Sequence, residues 1–141
     1  MWGDKLIKSW AKTQPILALS TGEAELAAVV KASSEALGLK SLMTDLGIQV
    51  SLAVRSDATA AIGMVRREGL GKVRHLDVGD LCVQQKAKSG TISYHKVNGK
   101  ENPADMLTKG IGAAEILKHN TFMGLEERPG RSGAAPQLPS L

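Results

Sequence analysis

Several things are scarce in this chain, and each scarcity excludes something. There is one cysteine, Cys82, so no disulfide can form within the chain and no multi-cysteine zinc site can be built. A lone thiol is compatible with an intracellular protein. Cys82 itself is expected to pack as a small apolar residue on a helix. Aromatic residues make up only 3% of the 141 residues, so the core must rest on Leu, Val, Ile and Ala. No apolar run reaches the ~18 residues needed to span a membrane. The first residues, MWGDK, carry no basic stretch leading into an apolar one, so no signal peptide is expected. No internal repeat is present. The glycines around Lys72 (residues 69–72, GLGK) lack the spacing and the following Ser or Thr of a phosphate-binding loop.

What is present describes one small domain. The apolar fraction is 43%, ordinary for a globular chain, and the net charge is +4. That mild excess permits a polyanionic partner without demanding one. Residues 5–19 read as two short extended pieces bent at Pro15. Ser20 and Glu23 then form a capping box that starts a long helix, with Gly47 as its stop. At 100° per residue, Glu25, Ala28, Val29, Ala32, Ala36, Leu39, Met43 and Leu46 share one stripe, so Glu25 is expected on the apolar face. A carboxylate there is costly unless it is paired or binds a metal. The plainer role for Glu25 is a first-turn acid open to water and stabilised by the helix dipole.

Residues 50–56 read as a strand with Asp57 at its C-terminal end, the side where open α/β sheets bind ligands. Its plainer role is a helix N-cap. Helices are expected over residues 58–67 and 73–88, and a strand over 91–97. Asn102 and Pro103 then supply a cap and a first-turn proline for a helix over 104–109, with Asp105 in its first turn. One more helix fits residues 113–122. The body is thus expected over 1–122, and the Pro-, Gly- and Ser-rich stretch within 123–141 as a disordered tail. Three acids at element boundaries suit magnesium, which takes hard oxygen ligands. His75 with Asp77 and Asp80 is a weaker metal candidate. His95 is expected as a surface or satisfied strand residue, and Trp10 as a core residue. Arg66, Arg67, Lys72 and Arg74 form a basic cluster that fits either nucleic-acid phosphates or a solvated helix end.

The motifs carry a resemblance. Residues 19–26 (LSTGEAEL) resemble the "LSSxEAEY" segment of copia-type retrotransposon ribonuclease H domains. Residues 56–61 (SDATAA) are similar to their "CDNQSA", 73–78 (VRHLDV) to "TKHIDI", and 101–109 (ENPADMLTK) to "ENxADxxTK". Residues 9–14 (SWAKTQ) resemble "SWxSKxQ". The matches run in order from about residue 7 to residue 110.

The resemblance implies an α/β, RNase H-like mixed sheet flanked by helices, with Glu25, Asp57 and Asp105 as catalytic, metal-binding acids. It implies two Mg2+ ions (Mn2+ as the alternative) and cleavage of the RNA strand of an RNA–DNA hybrid. The implied partners are that hybrid and the reverse transcriptase region of the same polyprotein. The implied location is intracellular: cytoplasm, virus-like particle or nucleus, with no membrane. The family's first acid, on its first strand, has no counterpart here, and Asp4 precedes the wrong strand. The sheet is therefore expected to be truncated at its N-terminus, with an unpaired edge on the strand over 50–56. No histidine stands in the loop at residues 98–100, as in the copia-type pattern. Two other readings stay open: a catalytically dead remnant that at most binds nucleic acid, and an unrelated small α/β interaction domain.

Overall fold

The computed structural model describes residues 1–3, 5–11, 20–67, 78–107, 109–126 and 130. The order is α1 (Thr21–Asp45), β1 (Leu52–Ser56), α2 (Thr59–Arg66), α3 (Val78–Lys88), β2 (Ile92–Lys96), 3-10 turns at Gly99–Glu101 and Pro103–Leu107, and α4 (Ala113–Phe122). The architecture is mixed α/β. Its described sheet has two strands, paired parallel with Leu52 opposite Ile92 and Ser56 opposite Lys96. Parallel strands need a long crossover, which α2 and α3 provide.

The chain divides into two compact units. One comprises Lys12–Asn102, the other Met1–Ala11 with Pro103–Leu141. The first holds the main core: Leu26 and Val29 of α1, Val54 of β1, Ala58, Ala61, Ile62 and Val65 at and along α2, Val83 of α3, and Ile92 and Tyr94 of β2. Burying side chains of this kind stabilises by about 1.5–3 kcal/mol each for the Val, Leu and Ile residues. The two faces of β2 differ, with Ile92 and Tyr94 inward and Ser93 and His95 outward, the alternation expected of a half-covered strand. In the other unit, Leu6 N–H donates to the Met123 carbonyl at 3.1 Å, and Met123 and His119 are buried.

Local chemistry sets the ends of α1. Ser20 is extended, and its Oγ accepts from Glu23 N–H at 3.2 Å. At the other end Gly47 takes φ +76°. Gly47 N–H donates to Thr44 and Ile48 N–H to Met43, the paired bonds of a Schellman stop. Close approach explains another glycine. A Cβ on Gly22 would lie 3.1 Å from Met64 Cε and 3.3 Å from Ala60 Cβ, so a bare backbone lets α1 sit against α2.

Several expectations are corrected. The covered face of α1 overlaps the expected stripe only in part: Val29 is buried and Ala32 packs on the core, but the centre of burial is shifted toward Leu26 and Ser33. Leu26, Val29 and Ser33 are buried, with Val30 and Leu37 packed beside them, while Ala28 and Leu46 are exposed. The centre of the covered face is turned by roughly 100°, one residue step, from the stripe phase alone selects. The cause is the partner: α1 lies on α2 and β1, whose apolar side chains meet the Leu26 side. Cys82 is exposed, because Val83 points into the core from the same turn. Trp10 is 43% exposed and carries Lys8 Nζ 5.4 Å above its ring rather than packing in a core. The helix over 104–109 is instead a 3-10 helix at Pro103–Leu107. Residues 5–11 form no strand beyond a single Trp2–Lys5 bridge. Residues 12–19, with the bend at Pro15, lie outside the described residues, as do 73–77 at the expected start of α3 and residues 127–129 and 131–141 of the expected tail.

Candidate functional site

The candidate site is built where β1 ends. The strand delivers Asp57 just past Ser56, and the chain turns into α2 at Ala58. The turn itself uses Ser56: its Oγ accepts from Ala58 N–H at 3.1 Å. Ala58 occupies the N-cap position without a side-chain cap bond. Asp57 is therefore not the cap of α2, and its plainer structural role falls away. The carboxylate is half-buried and takes its bond from elsewhere. Asn102 Nδ2 donates to Asp57 Oδ1 at 3.3 Å.

Asn102 reaches that position through the turn after β2. Val97 N–H donates to the Ser56 carbonyl at 3.0 Å, extending the strand pairing to the lip of the site. Asn98 Oδ1 then accepts from Lys100 N–H at 3.2 Å. Glu101 N–H closes on Asn98, and Asn102 N–H on Gly99. The tight turn also brings Gly99 close to the second oxygen. A Cβ there would stand 3.4 Å from Asp57 Oδ2, so glycine leaves that oxygen less covered. Sequence reasoning treated Asn102 as a helix cap and Gly99 as plain loop. No local pattern announces a bond to a residue 45 positions earlier.

Glu25 belongs to the same unit. It is half-buried, one turn into α1, and its carboxylate has no hydrogen-bond or ion-pair partner among the described residues. The contact of Gly22 with Ala60 and Met64 brings this first turn of α1 against the helix that follows Asp57. Asp105 belongs to the other unit. There it forms an i,i+4 ion pair, Lys109 Nζ to Asp105 Oδ2 at 2.8 Å, with the aspartate side chain 19% exposed and the lysine 60%. Within either unit, the described residues include no group of three or more His, Cys, Asp or Glu placed to hold a metal. The carboxylates of Asp57 and Glu25 are hard oxygen donors of the kind that magnesium takes, and one oxygen of Asp57 is oriented by an amide.

Among the basic residues, Arg66 and Arg67 end α2. Arg66 Nη2 donates to the Tyr94 carbonyl at 3.0 Å, and Arg67 Nε to Gly63 at 3.3 Å. Lys72, Arg74, His75 and Asp77 lie outside the described residues, as does Asp4. Asp80 is half-buried in the first turn of α3, and His95 is exposed on β2 opposite Arg55. Behind the sheet, Tyr94 OH and Ser33 Oγ share a buried bond of 2.9 Å, and Ser33 Oγ also lies 2.8 Å from the Val29 carbonyl. Burial raises the Tyr94 phenol above its usual 10.0; the Ser33 bond works the other way, and Cys82 adds a smaller upward push.

The chain was compared with known proteins. No family model matches it, and no solved structure matches it. It is similar to the "Retrovirus-related Pol polyprotein from transposon TNT 1-94" of Nicotiana tabacum, at 34% identity over 106 residues. The match covers 73% of this chain and 8% of that polyprotein, so the chain spans a small part of its relative's length. No described helix is long and apolar enough to cross a membrane.

Proposed function

We propose that the chain is part of a copia-type retrotransposon ribonuclease H, acting on the RNA strand of an RNA–DNA hybrid within a reverse-transcriptase polyprotein. The observation that carries this reading is the placement of Asp57. It stands at the C-terminal end of a parallel strand, has no capping duty, and is oriented by Asn102. Similarity to a retrotransposon Pol polyprotein supports the same reading.

In this reading Asp57 and Glu25 hold magnesium, and the resemblance gives Asp105 the same role. Magnesium, when bound, would supply positive charge at the scissile phosphate and lower the pKa of a water. Asn102 fixes one Asp57 oxygen and leaves the other, beside Gly99, to face a cation. Glu25 has no partner among the described residues, so none of the bonds described there has to break for it to serve. Selectivity for RNA would come from contacts to the 2′-hydroxyl. The family's first acid has no counterpart in this chain.

The test is single-turnover cleavage of an RNA–DNA hybrid in magnesium, by this chain and by a form extended upstream within its polyprotein. Cleavage that falls at least about a hundredfold in Asp57→Asn, on the scale of losing one group that stabilises transition-state charge, supports the reading. Cleavage that survives the substitution sinks the site. Hybrid binding without cleavage in both forms favours the second reading, a non-catalytic remnant of the element.

A further inference from the structure

The two faces of the sheet differ in what they meet. α1, α2 and α3 pack on the side of Val54, Ile92 and Tyr94. The opposite side carries Ala53 and Arg55 of β1 and Ser93 and His95 of β2, all four exposed. Parallel strands are ordinarily apolar on both faces because both are covered. This second face instead offers two small residues and two hydrogen-bond donors, which suits a polar ligand better than a packed helix.

Register makes the donors a pair. Arg55 lies directly opposite His95, and Ala53 opposite Ser93. Neighbouring strands are ~4.8 Å apart, so guanidinium and imidazole rise side by side beside a floor of small residues. Ser93 Oγ donates to the Leu52 carbonyl at 3.0 Å and is spent on the sheet itself. Arg55 and His95 have no hydrogen bond or ion pair among the described residues. All five guanidinium N–H groups and an imidazole N–H are therefore unspent. A protonated imidazole directly opposite an arginine repels it, and an anion between the two removes that repulsion.

The pair also stands next to the candidate site. Asp57 follows Arg55 by two residues, roughly 6.6 Å along the chain at ~3.3 Å per residue. A nucleic-acid strand rises ~3.4 Å per nucleotide, so a phosphate on Arg55 lies within about two nucleotides of one at Asp57. The turn beyond carries Lys100 and Glu101, whose charges offset each other. A carboxylate would satisfy the two donors as well as a phosphate does. A run of phosphates also uses the metal that Asp57 is proposed to hold, which an isolated carboxylate does not.

We propose that the open sheet face binds a backbone phosphate of a nucleic-acid strand through Arg55 and His95, close to the phosphate that lies at Asp57. This rests on the nucleic-acid reading above. Both residues position the strand and take no part in breaking its bonds.

The experiment follows binding of a fluorescently labelled RNA–DNA hybrid to the full chain by anisotropy across a salt series. Magnesium is left out, so that no metal at Asp57 contributes. Arg55→Ala should weaken binding about tenfold, the scale of one charge-assisted hydrogen bond, and reduce the slope of log K against log salt by about one. His95→Ala should weaken binding less, and the double variant little more than Arg55→Ala alone, because the two residues share one phosphate. Lys118→Ala removes the same charge from an exposed position on α4 and should leave affinity and slope unchanged. An unshifted denaturant midpoint shows an intact fold; should Arg55→Ala lower it, Arg55→Gln makes the same test with most of the side chain kept. The proposal is overturned by an unchanged salt slope in the Arg55 variants, by equal effects of Arg55→Ala and Lys118→Ala, or by no hybrid binding in the parent. It is overturned equally if polyglutamate or inorganic phosphate displaces the labelled hybrid as well as unlabelled hybrid does. Failure of the nuclease reading looks different: hybrid cleavage indifferent to Asp57→Asn, with Arg55-dependent binding retained.

Discussion

Asn102 donates its side-chain amide to Asp57 across 3.3 Å, joining the turn after β2 to the end of β1. The bond orients one carboxylate oxygen and makes the acid's direction depend on the fold of a distant loop. Partners of this outer kind usually matter by about 10–100-fold in metal affinity or activity. If Asp57 holds magnesium as proposed, Asn102→Ala should lower magnesium affinity and hybrid cleavage by about that factor, and lower stability by only about 0.5–1.5 kcal/mol. Magnesium titration and chemical denaturation of the same variant check both parts. A large stability loss with unchanged magnesium affinity would mark Asn102 as purely structural.

The Tyr94 phenol is raised by burial, and the direction fixes its effect on stability. In the folded chain the neutral form is favoured, so the folded state holds its proton to higher pH than the unfolded state. Stability from this group is fully present below the unfolded value of 10.0 and is lost as pH rises from there through the folded value. Urea unfolding at stepped alkaline pH should show the decline. Tyr94→Phe should remove that group's share of the slope, at a cost of about 0.5–1.5 kcal/mol at neutral pH for the bond to Ser33.

Ile92 is 1% exposed at the start of β2, opposite Leu52. Truncating it to alanine should cost about 2–5 kcal/mol, the lost transfer energy plus the cavity left behind. That is a large fraction of the stability of a domain this size. Denaturant midpoints of the variant and parent measure it, and a shift under 1 kcal/mol, well below that ~2–5 range, would show that the sheet is not the core's centre.

Ser20 closes the first turn of α1 through its hydroxyl. Ser20→Ala should destabilise by about 0.5–2 kcal/mol, whereas Ser20→Asp should keep the cap and most of the stability. Thermal unfolding followed by circular dichroism separates the two.

Read alone, the sequence located most of the elements. Ser20 and Gly47 bracket α1, residues 52–56 carry the strand before Asp57, and α4 spans Ala113–Phe122 as the pattern predicts. These features depend on chemistry acting within one turn: a hydroxyl facing an open amide, a glycine at positive φ, apolar alternation. Tertiary structure decided the rest. Alanine-rich α1 offers more than one apolar stripe, and only the packing of α2 and β1 against it selects the side of Leu26 and Ser33, keeping Val29 of the expected stripe and leaving Ala28 and Leu46 exposed. The same selection turns Val83 inward and leaves its neighbour Cys82 exposed. It also makes Asn102 a partner of Asp57, because a bond across 45 residues exists only once parallel pairing has brought the ends of both strands together.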